Sequence, residues 1–141
     1  MIVKSFELQK INFNVNKYFL IHGNNKGLIE EIIKETLKPK LTKNYFKYEE
    51  SEILKNLDSF RKDIFNQSFF ENEKLIIIYR ASDKIINIIE EIISENIDDL
   101  CIILTSNSLD KQSKIRKYFE KEKKTVCIPV YEDNLQTLSN I

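Results

Sequence analysis

The chain has 141 residues, 22 of them basic and 22 acidic, so its formal charge is zero and no net field draws it to nucleic acid or to a membrane surface. With 42% hydrophobic residues it can bury roughly two-thirds of its unfolded surface in one core and needs no disulfide or metal staple. No apolar run reaches the ~18 residues of a membrane span and no signal peptide is recognisable, so a cytoplasmic protein with no membrane partner is expected.

The first stretch, "IVKSFELQKI", is broken by charge at every third or fourth place and reads as an edge strand or an extended arm. Residues 18–21, "YFLI", form the first apolar run, followed by a turn with the chain's only two glycines, Gly23 and Gly27. Leu28, Ile29, Ile32, Ile33 and Leu37 then recur at helical spacing. Glu30 and Glu31 are expected in that helix's first turn, Lys34 and Lys38 near its end, and a stop before Pro39.

The second run, "YFKY" at 45–48, leads to a helix from about Ser51, its expected N-cap, to about Gln67, with Ile53, Leu57, Phe60 and Ile64 on one stripe. After "LIIIY" at 75–79 comes a helix capped by Ser82. Its isoleucines at 85, 86, 88, 89, 92 and 93 make a stripe wide enough for the sheet and one more neighbour. "LCIIL" at 100–104 precedes a charged helix at about 110–121, anchored by Ile115, Tyr118 and Phe119 and expected to be the most exposed. The fifth run, "TVCIPV" at 125–130, precedes "EDNLQTLSNI", which starts as a helix and ends within about two turns, as a cut element would.

Three of the five runs are continuously apolar rather than alternating, as strands buried on both faces of a parallel sheet must be. The expected fold is a three-layer α/β domain, a mostly parallel five-stranded sheet flanked by helices. No repeat or linker divides residues 1–141, so one domain is expected. Cys101 and Cys127 lie inside apolar runs without CxxC spacing and read as reduced core thiols.

A strand, a glycine turn and a helix, in that order, form the setting of a phosphate loop. Such a loop needs four residues between its glycines, then a Lys for the β- and γ-phosphates and a Ser or Thr hydroxyl for magnesium. Here three residues, "NNK", separate Gly23 from Gly27, and Leu28 and Ile29 stand where the Lys and the hydroxyl belong. Lys26 offers only a loose charge and the two glutamates oppose an anion, so Gly23, Lys26 and Gly27 read as a degenerate phosphate loop.

Arg80 and Ala81 follow the third run, where an ATPase carries the acids that hold magnesium. A phospho-receiver needs acidic residues where this chain has His22 and Arg80. His22 is the only histidine and reads as a loop-edge residue. With no second histidine and no glycine-flanked serine, no catalytic residue, metal site or cofactor is expected.

Surface features remain. Phe69 and Phe70 are adjacent in the link between the second helix and the third strand, where both cannot easily enter one core. They read either as an exposed interface anchor or as packing under the helix. In "KQSKIRKYFEKEKK" (111–124), Lys111, Lys114, Arg116 and Lys117, with Tyr118 among them, could track a phosphate backbone, although Glu120 and Glu122 dilute the charge towards an ordinary solvated face.

Four stretches, "YFLIHGNNKGLIEE", "NQSFFENEKLIIIYRA", "CIILTSNSLDKQSKIRKYFEKEK" and "VCIPVYED", together resemble the N-terminal domain of the delta subunit of the bacterial DNA polymerase III clamp loader. The resemblance implies an AAA+-like core with no working ATP site, in a non-catalytic subunit of a DNA polymerase holoenzyme. It implies binding to the sliding clamp and help in opening that ring for loading onto primed DNA. Family members insert two adjacent hydrophobic residues, just after a serine at the end of the second helix, into a pocket on the clamp. Here these are Ser68, Phe69 and Phe70.

Glu71, Asn72, Glu73 and Lys74 depart from the basic residues that relatives often carry next. Other implied partners are the remaining loader subunits, reached through a C-terminal collar, and DNA indirectly. With lid and collar absent from residues 1–141, a monomeric fragment is expected. The rival reading is a stand-alone nucleotide- or nucleic-acid-binding α/β module, and a blander one is a scaffold domain with both phenylalanines in its core.

Overall fold

The computed structural model describes residues 1–41, 45–65, 74–97 and 100–131. All five apolar runs are strands: β1 (Tyr18–Gly23), β2 (Tyr45–Glu49), β3 (Lys74–Tyr79), β4 (Leu100–Ser106) and β5 (Thr125–Val130). They pair in the order β2-β3-β4-β1-β5, and every pairing is parallel. β1 and β4 are buried along their whole length, the burial that their unbroken apolar character requires.

Alternate residues of β1, β3, β4 and β5 enter two cores. On one face Leu20, Ile76, Ile78, Ile102, Leu104 and Cys127 join Ile53, Phe60, Ile64, the isoleucines of the third helical stretch, Ile115 and Phe119. On the other, Phe19, Ile21, Ile77, Ile103 and Ile128 join Ile29, Ile32, Ile33 and Leu37, with Val3 and Ile11 from the amino-terminal stretch. Neither cysteine forms a disulfide, both are buried, and burial pushes the Cys127 thiol up to about 12.

The helices are α1 (Lys26–Ile32), α2 (Glu50–Lys55), α3 (Leu57–Phe65), α4 (Ile86–Glu95) and α5 (Lys114–Lys121). Several bounds differ from expectation. Asn25 caps α1, so the helix starts at Lys26 and Glu30 and Glu31 fall beyond its first turn. Helical backbone continues through a wide turn, Ile33–Leu37, and a tight one, Lys38–Lys40, so Pro39 sits inside the final turn rather than after the helix. Pro39 is tolerated because it stands at the N-terminal positions of the tight turn Lys38–Lys40, whose own hydrogen bond is made by the Leu41 N–H to the Lys38 carbonyl.

The second helix is two helices broken at Asn56. It is capped by Glu49, whose N–H donates to Glu52 Oε1 at 3.1 Å, rather than by Ser51. Ser82 does cap its helix, accepting from the Lys84 N–H, through one tight turn (Asp83–Ile85) before α4. The Arg61 guanidinium donates to the Glu91 carboxylate and ties α3 to α4. α5 starts at Ser113–Lys114, later than its charge pattern suggests, with Ile115 and Phe119 fully buried.

The amino-terminal stretch is neither a full edge strand nor a free arm. Ile2 makes a single parallel bridge to Cys127, and a one-turn helix, Leu8–Lys10, follows. The helical start expected at 132–141 lies outside the described residues.

Candidate functional site

At the carboxyl edge of the sheet, Gly23 has φ +152°, and a Cβ there would fall 1.5 Å from the Val130 carbonyl oxygen. The close pairing of β1 with β5, in which Gly23 is registered with Val130, therefore demands glycine whatever the turn binds. Gly27 has only the Asn25 side chain within reach of such an atom, at 3.8 Å, and lies in the first turn of α1. The Asn25 Oδ1 accepts the Leu28 N–H at 3.1 Å, so a backbone donor that a phosphate loop would offer its ligand is already satisfied from within.

Lys26 lines a cleft of about 230 Å³ together with Glu30, Glu49, Tyr79, Arg80 and Asn107. That is below the roughly 300 Å³ at which ligand pockets begin. Its charges also answer one another: Arg80 Nε lies 3.4 Å from Glu49 Oε1, and Lys26 shares the space with Glu30. Burial, and then the neighbouring Glu30 carboxylate, push the Tyr79 phenol above its ordinary value. Arg80, in left-handed backbone at φ 58°, occupies the place where magnesium-binding acids would stand. Among the described residues no three His, Cys, Asp or Glu side chains gather to hold a metal.

His22 is not the loop-edge residue its neighbours suggest. It is fully buried at the end of β1, with Tyr131 edge-on to its ring at 5.9 Å and Nδ1 accepting the Leu109 N–H at 3.5 Å. Its Nε2 has no partner among the described residues. Burial, with the Arg116 charge adding to it, lowers its pKa to about 4, so it is neutral near pH 7.

A chain of polar contacts missed by sequence reasoning fixes the helix starts along the same edge. Buried Glu50 accepts the Ser82 N–H at 2.8 Å and the Ser82 hydroxyl at 2.8 Å. Next along the chain, Asp83 Oδ1 accepts the Ser113 hydroxyl at 2.7 Å and the Ile115 N–H at 3.0 Å. The Ile115 N–H, with the Ser113 hydroxyl adding to it, holds the Asp83 carboxyl below the usual range. Glutamate at a helix start reads as a cap, which is why Glu50 gave no sign of reaching 32 residues along the chain.

From that fixed start, α3 buries Phe60 and Ile64, and the Tyr48 ring meets Phe60 edge-on at 5.4 Å. Ser68, Phe69 and Phe70 follow in sequence and lie outside the described residues, as do Glu71, Asn72 and Glu73. On α5, Arg116 donates to Glu120 Oε2 at 3.0 Å and to the Leu109 carbonyl at 2.6 Å. Lys114 and Lys117 are exposed and share a groove with Asp83 and Glu90, and Lys111 is exposed ahead of the helix.

A family model described as DNA polymerase III, delta subunit, matches residues 18–128. The chain belongs to that family. Among solved structures, the DNA clamp loader delta protein of Bacillus subtilis superposes with a TM-score of 0.64 at 16% identity, over 96% of this chain and 45% of that one. The likeness shows that the delta-subunit fold is shared, and this chain spans less than half the length of that relative. No curated protein sequence matches it. Among the described residues of this delta-family chain, no helix is long and apolar enough to cross a membrane.

Proposed function

We propose that residues 1–141 form the N-terminal, AAA+-like domain of a clamp-loader delta subunit, which binds the sliding clamp of a DNA polymerase and helps open it for loading onto primed DNA. The observation that carries this reading is the delta-family match over residues 18–128, which includes Ser68, Phe69 and Phe70. The fixed α2–α3 arm supports it: Glu50 holds its start, and Phe60 and Ile64 hold its length, up to the point where the sequence presents the phenylalanine pair.

The mechanism is mechanical. Two phenylalanines entering an apolar pocket supply on the order of 3–6 kcal/mol of gross burial, less the ordering cost. That is enough to hold a ring segment in an altered curvature if the arm behind it does not yield. The domain hydrolyses no ATP in this reading, because Leu28, Ile29 and Arg80 replace the groups that would do so. It acts in the cytoplasm beside the other loader subunits.

Surface plasmon resonance against the sliding clamp tests the proposal. The chain binds at micromolar affinity or tighter, and Phe69→Ala with Phe70→Ala abolishes binding while circular dichroism is unchanged. Binding indifferent to that change places the anchor elsewhere.

A further inference from the structure

The least diluted positive charge of the chain lies across the open edge of the sheet rather than on α5. Residues 36–48 contain Lys38, Lys40, Lys43 and Lys47, no acidic residue, and the aromatics Tyr45, Phe46 and Tyr48 between them. β2 is an edge strand of the sheet, and its Tyr45 and Phe46 are 44% and 40% exposed, where aromatic side chains are usually well buried.

Cations and rings alternate along this edge. Lys38 Nζ stands 3.8 Å from the centre of the Tyr45 ring. Lys47 Nζ lies 5.8 Å from the same ring and 6.0 Å from that of Tyr79. None of the ion pairs among the described residues uses Lys38, Lys40 or Lys47. Lys38 and Lys47 rest on aromatic faces, a weak association at an exposed site that a phosphate can displace, and Lys40 is exposed beside them in sequence. On α5, by contrast, the arginine is committed to Glu120 and Leu109.

We propose that the strip formed by Lys38, Lys40, Tyr45 and Lys47 binds single-stranded DNA, the lysines taking phosphates and Tyr45 stacking against a base. Charge complementarity selects a polyanion, and exposed rings interleaved with cations select one whose bases are free to stack, which duplex bases are not. DNA is the polynucleotide because the chain is a member of a DNA polymerase subunit family. The direct contact goes beyond the indirect role for DNA that the resemblance implies, and it does not rest on clamp binding.

Fluorescence anisotropy of a labelled oligothymidylate of about 16 nucleotides tests it on the whole 141-residue chain at low salt. Saturable binding is expected, weakened at least about fivefold by Tyr45→Ala and preserved by Tyr45→Phe. Lys38→Ala with Lys47→Ala reduces the salt slope by about 1.4, or ~0.7 for each lost phosphate contact. Lys114→Ala with Lys117→Ala leaves binding unchanged.

No binding by the folded wild type, equal binding to a duplex, equal displacement by polyglutamate, or loss in the α5 variant instead of the β2 variants would each overturn the proposal. Clamp binding through Phe69 and Phe70 is read separately, so failure of one leaves the other standing.

Discussion

The turn after β1 and the α2–α3 arm after β2 leave the same edge of the sheet and are held by different physics. The turn is a backbone device: Gly23 is pressed against Val130, Asn25 caps α1, and the charges of the small cleft answer one another. The arm is a side-chain device, its start tied by Glu50 to Ser82 and its length sunk into the core by Phe60 and Ile64. A glycine turn before a helix therefore reports a close backbone contact, and only the groups that follow the glycines report a nucleotide.

Gly23→Ala should break the comparison most severely, since its new methyl would fall on the Val130 carbonyl. Thermal unfolding should show a loss of about 4 kcal/mol or more, or no folded protein at all. Phe60→Ala tests the arm: a cavity under α3 should cost about 3–4 kcal/mol in denaturant unfolding and weaken clamp binding further than the stability loss alone explains.

His22 sharpens the contrast through pH. Its pKa is held at about 4 against an ordinary 6.5, so between those values the unfolded chain takes up a proton that the folded chain refuses. Stability should be full above about pH 6.5 and fall by about 3 kcal/mol as pH drops towards 4, and His22→Leu should remove that part of the slope. The smallest effect is of opposite sign. Gly27→Ala meets only the Asn25 side chain, at an ordinary contact distance of 3.8 Å, on helical backbone, and should raise stability by about 0.5–1 kcal/mol in the same assay.

Much of this was readable from residue order. Short unbroken apolar runs such as "LCIIL" suit strands covered on both sides, and the structure buries β4 throughout. The missing lysine and hydroxyl after Gly27 were equally plain, because a phosphate site fails locally when its groups are absent. What escaped was non-local. His22 looked like a loop residue because Leu109 and Tyr131, which cover it, come late in the chain.

The break at Asn56 left no trace in the stripe of Ile53, Leu57 and Phe60, which suits one straight helix as well as two. The cation and ring ladder at Lys38, Tyr45 and Lys47 was hidden because β2 had to be placed at the sheet edge before its aromatics could be seen as exposed.

The central claim is that this domain grips the clamp through its arm and independently of the turn. Its most direct test is clamp binding by surface plasmon resonance of Lys26→Ala beside Phe69→Ala with Phe70→Ala, each with and without ATP and magnesium. The account predicts wild-type affinity for Lys26→Ala, no effect of ATP, and loss of binding only in the phenylalanine variant. An affinity that falls with Lys26→Ala or shifts with ATP would contradict it.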